Sequence, residues 1–162
     1  SVTALQLAEA FAALADDGRL RRPSLIMDAL NPPESILDPT IARQVSAMLE
    51  TVTGPEGTGK KARVENYRVS GKTGTSRKSG SGGYKERRYI ATFAGFAPSS
   101  NPRSAGVAIV NDPTNGEYFG GSVAGPLFSS VMTGALRLMD VPPDNYEGMV
   151  AATGTTQNGG GQ

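Results

Sequence analysis

The sequence predicts an α/β fold of the α+β kind, with an antiparallel sheet covered by helices on both faces. Three observations predict it. Segments with helical spacing lie at both ends of the chain, and strand-like runs rich in Val, Ile, Thr and aromatics follow one another between Tyr67 and Asn111. The last of these runs, Val107-Ala108-Ile109-Val110, is apolar on both faces, so both sides of its sheet must be covered. At 162 residues the chain is long enough for one domain with a real core.

Taken in order, Thr3 followed by Gln6 has the pattern of a capping box, and Leu7, Ala8, Phe11, Leu14 and Ala15 recur at helical spacing until Gly18 stops an amphipathic helix. Residues Arg21 to Pro33 are interrupted by prolines and predict an extended connector. Asp38-Pro39 offers an N-cap with proline at the first helical position. Ile41, Val45, Met48, Leu49 and Val52 then form the apolar stripe of a second helix ending at Gly54. From Tyr67 the period changes: Tyr67 to Ser76, Arg88 to Ala97 and Arg103 to Asn111 read as strands. The tight link Pro98-Ser99-Ser100-Asn101-Pro102 makes the latter two an antiparallel hairpin. A last helix is expected from about Ser122 through Met139, with Pro126 in its first turn and Leu127, Phe128, Val131, Ala135, Leu138 and Met139 as its cover over the sheet. From Pro142 the composition turns to Pro, Gly, Thr, Asn and Gln. Residues 1–141 are therefore expected to form the folded unit and 142–162 a flexible, disordered tail.

Composition excludes several function classes. The formal net charge is +1, so no bulk field argues for nucleic acid or an anionic membrane. No apolar run approaches the length of a bilayer span, and no signal peptide is present. Without cysteine or histidine, Ser-His-Asp and Cys-His catalysis are impossible within the chain and the usual zinc ligand sets are absent; neither metal nor cofactor is expected. Because it starts at Ser1, without methionine and already inside a helix signal, the chain reads as a fragment of something longer. Any membrane anchor of the parent is expected upstream.

Chemistry concentrates in Val69-Ser70-Gly71-Lys72-Thr73-Gly74-Thr75. Side chains alternate along a strand, so Thr73 and Thr75 share one face while Lys72 and Gly74 lie on the other. Two hydroxyls, a nearby ammonium and the backbone N–H of Thr75 are groups that surround a carboxylate or a developing oxyanion. Arg77, on the Thr73/Thr75 side by parity, can reach the same anion. Lys-Thr-Gly is one of three signatures of penicillin-binding proteins and serine β-lactamases, beside Ser-x-x-Lys and a Ser-x-Asn-type triplet. No serine in this chain is followed three positions later by lysine, so the nucleophile and its general base are absent.

Other pieces surround that strand in order: Ser1-Val2-Thr3-Ala4-Leu5-Gln6-Leu7, Gly57-Thr58-Gly59, Gly71-Lys72-Thr73-Gly74-Thr75, Ala94-Gly95-Phe96-Ala97-Pro98, Asn111-Asp112-Pro113 and Tyr118-Phe119-Gly120-Gly121. In these motifs the chain resembles the C-terminal half of the transpeptidase domain of class B penicillin-binding proteins, most closely the septal, cell-division type. The resemblance implies the penicillin-binding/serine β-lactamase-like transpeptidase fold, incomplete in this chain. It implies that in the full-length parent, a peptidoglycan D,D-transpeptidase, an upstream serine attacks the penultimate D-Ala carbonyl of a stem peptide ending in D-Ala-D-Ala. An amine from a neighbouring strand then resolves the acyl-enzyme, and β-lactam antibiotics acylate the same serine.

The same resemblance implies roles for residues. Lys72 would sit behind the strand, toward the serine of the Ser-x-Asn triplet; Thr73 and Thr75 would bind the terminal carboxylate, with the Thr75 N–H as one arm of the oxyanion hole. Gly74 would let neighbouring elements approach, and Tyr118 and Phe119 would form an aromatic wall. It further implies a bitopic inner-membrane parent acting in the bacterial periplasm at the septum. The implied partners are the upstream half of the same domain, a septal lipid-II-polymerising glycosyltransferase and divisome proteins, with no nucleic acid. A D,D-carboxypeptidase or an antibiotic-sensing receptor shares the strand motif, and a noncatalytic β-lactam-recognising or scaffolding module is the alternative from another class.

Three motifs are set aside. Gly54 to Gly59 followed by Lys60 fits the phosphate-loop pattern but fails at Lys61, where Ser or Thr is required, and it follows a helix rather than a strand. Ser99-Ser100-Asn101 matches Ser-x-Asn formally, yet its place at a hairpin tip makes it a turn. The basic residues Arg77, Lys78, Lys85, Arg87 and Arg88 flank Ser79-Gly80-Ser81-Gly82-Gly83-Tyr84, a glycine-rich stretch with no stacking platform for nucleic acid, and read as a solvated hairpin loop with Arg77 as the exception.

Overall fold

The computed structural model describes residues 2–26, 31–78 and 88–145. Thr3 and Gln6 close the capping box reciprocally: the Gln6 N–H donates to Thr3 Oγ1 at 3.2 Å and the Thr3 N–H to Gln6 Oε1 at 2.8 Å. Two donors that a helix start leaves orphaned are thereby satisfied, and α1 runs from Ala4–Ala15. Asp17 and Gly18 then take positive φ, and the Gly18 N–H reaches the Ala13 carbonyl at 2.8 Å, which turns the chain out of the helix. Burial pushes the Asp16 carboxyl up, but hydrogen bonds from Arg21 and Arg19 outweigh it and hold the group below the usual carboxylate range. A short antiparallel pair that the sequence does not single out, β1 (Arg19–Leu20) with β2 (Glu34–Ser35), brackets the predicted connector Arg21 to Pro33. Asp38 caps α2 (Pro39–Thr51) by accepting from the N–H groups of Thr40 and Ile41 at 2.7 and 3.3 Å, and these bonds lower its pKa.

The sheet is an antiparallel meander in the order β3 (Ser70–Arg77), β4 (Tyr89–Ala97), β5 (Ser104–Asn111). Its register aligns Thr73 with Phe93 and Phe93 with Ala108, so these three share a face. That face is covered by α3 (Gly120–Leu138), whose Phe128 ring tilts against Phe93 at 4.7 Å between centroids. Around this pair lie Val69, Ala91, Ala97, Ala124, Met132 and Leu136, all buried. On the opposite face α1 packs against β4 and β5, and α2 against β3. The expected cover on both faces is present, though Ile109 stays 43 % exposed.

Several expectations shift. The first strand begins at Ser70 instead of Tyr67, because Asn66 takes positive φ and Val64 and Tyr67 bridge each other in a tight turn; the Tyr67 hydroxyl then donates to the Val141 carbonyl at 2.5 Å. In α2 the fully buried residue is Ala42, while Ile41 and Met48 are exposed. The last helix starts at Gly120, which leaves Pro126 inside it, and its inner row is Gly120, Ala124, Phe128, Met132 and Leu136. Leu127, Val131, Leu138 and Met139 point outward. In α2 and in the first turns of α3 the buried positions are small residues, since close approach to the neighbouring elements decides the face there more than side-chain bulk does. The body also extends past residue 141. Asp144 accepts from the Arg68 N–H at 2.7 Å, the Ser100 N–H at 3.1 Å and the Ser100 hydroxyl at 2.7 Å, and the Asn145 N–H donates to the Asn66 carbonyl. Residues 146–162 lie outside the described residues, as do Lys85 and Arg87 of the basic loop; Lys78 and Arg88 are tied to Asn111 and Asp112 at 2.9 and 2.6 Å.

One polar cluster pins three elements together at the entry to β3. Arg68 donates from Nε and Nη2 to the two carboxylate oxygens of Glu50 on α2 at 2.6 and 2.8 Å, and the Ser99 hydroxyl donates to the same carboxylate at 2.8 Å. Fully buried Ser70 donates to the Ser46 carbonyl at 2.9 Å, and its Oγ lies 2.6 Å from Ser99 Oγ, where either hydroxyl can be the donor. Glu50→Ala removes the acceptor of a guanidinium and a hydroxyl at once, with an expected loss of about 1–3 kcal/mol, and Glu50→Gln should lose less. The urea midpoint at constant m-value measures this. An unchanged midpoint for Glu50→Ala would show that the cluster is dispensable.

Candidate active site

β3 stands first in the strand order, so among the described residues its outer edge carries no strand. The direction of its backbone groups follows from the ladder. The Lys78 N–H donates to the Arg88 carbonyl at 2.8 Å, which makes these two a hydrogen-bonded pair continuing the register of Arg77 with Tyr89. Bonded and non-bonded pairs alternate in an antiparallel ladder. Arg77, Thr75 and Thr73 therefore occupy non-bonded positions, and their N–H and C=O groups point away from β4 to the free edge. Thr75 thus presents a backbone donor and, on the same residue, an exposed side chain.

The two hydroxyls have different internal partners. Thr75 Oγ1 accepts from the Gly120 N–H at 2.9 Å, which leaves its own proton available to an outside acceptor. Thr73 Oγ1 lies 3.1 Å from Thr58 Oγ1. Lys72 is on the other face, exposed, and among the described residues its ammonium hydrogen-bonds only the neighbouring Thr73 carbonyl at 3.2 Å. Arg77 follows on the Thr73/Thr75 side, also exposed. A Cβ on Gly74 would meet only Thr92 at 3.5 Å, an ordinary contact, so the close approach expected there is made from the other direction. Gly120 lies directly over the backbone of Gly74 and the carbonyl of Thr92, where no Cβ fits, and Gly121 lies as closely over the Thr58 carbonyl.

That docking places the residues before α3. Tyr118 stacks on Tyr89 with centroids 4.2 Å apart and an interplanar angle of 16°, and Phe119 tilts against Tyr118 at 4.5 Å. Phe119 is 58 % exposed and immediately precedes Gly120, whose N–H holds the Thr75 hydroxyl. Sequence reasoning singled out Tyr118 and Phe119 but missed Tyr89, whose membership depends on the register opposite Arg77; the only sequence signal was an aromatic at the start of a strand. Thr58 was noted only within a glycine loop. That loop follows α2 and leads into a 3₁₀ turn at Lys60–Ala62, with the Gly59 N–H donating to the Val52 carbonyl at 2.9 Å, so it is a connector and no phosphate loop. Ser99 is likewise structural, committed to Glu50 and Ser70.

The edge strand thus brings together outward backbone groups, flanking hydroxyls, a lysine and the stacked rings of Tyr89, Tyr118 and Phe119. Residues 1–133 match the penicillin binding protein transpeptidase domain, and the chain belongs to that family. It is 40 % identical over 163 residues to the probable peptidoglycan D,D-transpeptidase PbpC of Pseudomonas aeruginosa, covering 98 % of this chain and 28 % of that protein. It is 43 % identical over 144 residues to the peptidoglycan D,D-transpeptidase FtsI of Escherichia coli K12, covering 88 % of this chain and 24 % of that one. Its fold matches the apo structure of the TP domain from Burkholderia pseudomallei penicillin-binding protein 3 with a TM-score of 0.75 and 44 % identity, over 88 % of this chain and 44 % of that chain. The chain thus spans about a quarter of the length of these curated relatives.

Gly120→Ala tests whether the docking builds the wall. Overpacking against the Gly74 and Thr92 backbone should cost about 1–3 kcal/mol and move Tyr118 off Tyr89. The chain has no tryptophan, so near-ultraviolet circular dichroism reports the tyrosines directly and should lose intensity. Gly134→Ala, inside the helix with nothing within 4 Å of the added carbon, should leave the tyrosine signal unchanged and stabilise by about 0.5–1 kcal/mol. Equal effects from both substitutions would refute the assignment.

Proposed function

We propose that this chain is the C-terminal part of the transpeptidase domain of a serine-type peptidoglycan D,D-transpeptidase and supplies its recognition edge. The observation that carries this reading is the free edge of β3, where outward backbone groups and the hydroxyls of Thr73 and Thr75 occur together in a chain of this family. A stem peptide ending in D-Ala-D-Ala lies extended along that edge and pairs with it as an added strand would. The Thr73 and Thr75 hydroxyls donate to its terminal carboxylate, with Arg77 adding positive charge on the same side. The Thr75 N–H donates to the oxygen of the scissile carbonyl, where negative charge develops as the tetrahedral intermediate forms.

Lys72 faces the other way, toward the side from which the remainder of the domain brings its Ser-x-x-Lys serine and Ser-x-Asn triplet. There the ammonium lowers the cost of negative charge in the cleft. The upstream serine attacks the penultimate D-Ala carbonyl, the terminal D-Ala leaves, and an amine from a neighbouring strand takes the acyl group. β-Lactams enter by the same route, their carboxylate on the two threonines. Tyr89, Tyr118 and Phe119 close the far end of the cleft. The parent acts at the septum from the periplasmic side of the inner membrane, with a lipid-II-polymerising glycosyltransferase and divisome proteins. Among the described residues no helix is long and apolar enough to cross a membrane.

On this reading the chain by itself forms no covalent adduct with a penicillin, because no Ser-x-x-Lys is present. Intact-mass analysis after incubation with benzylpenicillin should show only the unmodified mass, and a stoichiometric acyl adduct would sink the assignment. In the complete domain, Lys72→Ala should slow acylation by a factor on the order of a hundred while leaving the melting temperature unchanged, since Lys72 is exposed and outside the core. Near wild-type acylation would reduce Lys72 to a surface residue.

A further inference from the structure

We infer that Thr58 is a positioning residue for the anion site, acting through the hydroxyl of Thr73 to set the direction in which that hydroxyl gives its proton. The inference rests on the reading of Thr73 and Thr75 as the carboxylate site. Thr58 Oγ1 is 3.1 Å from Thr73 Oγ1, and either oxygen can be the donor of that bond. A hydroxyl carries one proton. When Thr73 gives its proton to a carboxylate, the bond between the two threonines survives only if Thr58 supplies the proton for it. The chain then runs Thr58 to Thr73 to carboxylate, and each bond polarises the next. Without the Thr58 hydroxyl, Thr73 is free to turn about its side-chain torsion and loses that polarisation.

The loop that carries Thr58 is built to hold still. The Gly57 N–H donates to the Gly54 carbonyl at 3.0 Å and the Gly59 N–H to the Val52 carbonyl at 2.9 Å. A Cβ on Gly59 would lie 2.8 Å from the Phe93 ring, so the loop sits against the central side chain of the core. From above, Gly121 of α3 rests on the Thr58 carbonyl. Thr58 is exposed and takes no part in the core, and its hydroxyl is directed at Thr73 from a clamped backbone. This differs from Thr75, whose oxygen is held by a backbone N–H and needs no side chain to orient it.

The test uses the complete transpeptidase domain and compares two ligands, benzylpenicillin and its methyl ester, by their second-order acylation rates. The ratio of the two rates measures carboxylate recognition and is insensitive to the fraction of protein folded. Thr58→Val should lower that ratio about three- to tenfold, the worth of one hydrogen bond in such a chain, while Thr58→Ser should keep it. Thr58→Ala, which adds no apolar branch, should match Thr58→Val and guards against a packing defect. Thr73→Val is the reference and should lower the ratio at least as far as Thr58→Val. An unchanged ratio in both Thr58→Val and Thr58→Ala beside a collapsed ratio in Thr73→Val would overturn the inference alone. An unchanged ratio in Thr73→Val as well would overturn the carboxylate site on which it rests. A ratio lowered equally by Thr58→Ser would also count against it, because a retained hydroxyl must rescue a positioning role.

Discussion

The N-terminus of α3 meets β3 with no side chain between them, and the arrangement of the site depends on that contact. Gly120 and Gly121 bring the helix backbone against Gly74, Thr92 and the Thr58 carbonyl at a distance no other residue allows. Three consequences follow from the one contact. The Gly120 N–H becomes the partner of Thr75, the loop of Thr58 is pressed beside Thr73, and Tyr118 is delivered onto Tyr89. Glycine is a poor helix former, so a helix that begins with two of them has given up propensity for proximity. The cluster of Glu50, Arg68, Ser70 and Ser99 performs a matching task at the other end of β3, where it ties the strand to α2 and to the turn between β4 and β5.

Between these two anchors β3 separates its functions by face. The threonine hydroxyls lie on the α3 side, and Lys72 leaves the strand from the reverse face with its ammonium turned to the Thr73 carbonyl at the edge. The backbone between them is the third component, because alternation of the ladder turns the N–H groups of Thr73 and Thr75 to the open edge. Eight residues of strand thus present hydroxyls, outward backbone groups and a lysine together.

Much of this was legible in the sequence, and the reasons differ by element. Capping signals at Thr3 and Asp38 are local chemistry, and both caps form as the residues dictate. The faces of Thr73, Thr75 and Lys72 follow from strand parity alone. The burial of helix faces was misjudged, because bulky Leu127, Val131 and Leu138 look like core until the sheet is in place and selects the Gly120, Ala124, Phe128 row. Tyr89 and Thr58 could not be found in advance, since each joins the site through a partner distant in sequence. The attachment of Asp144 was hidden for the same reason: its carboxylate is tied down by Arg68 and Ser100, donors distant in sequence.

The separations along the chain of these same contacts describe how the site can assemble. Thr58 and Thr73 are 15 residues apart, Thr75 and Gly120 are 45, and Arg68 and Asp144 are 76. Each doubling of a flexible loop adds about 0.6 kcal/mol to its closure, and distant contacts are correspondingly slow to reward the chain. The hydroxyl pair is therefore the contact with the lowest closure cost, the docking of α3 comes next, and the attachment of Asp144 at the opposite end of β3 carries the highest.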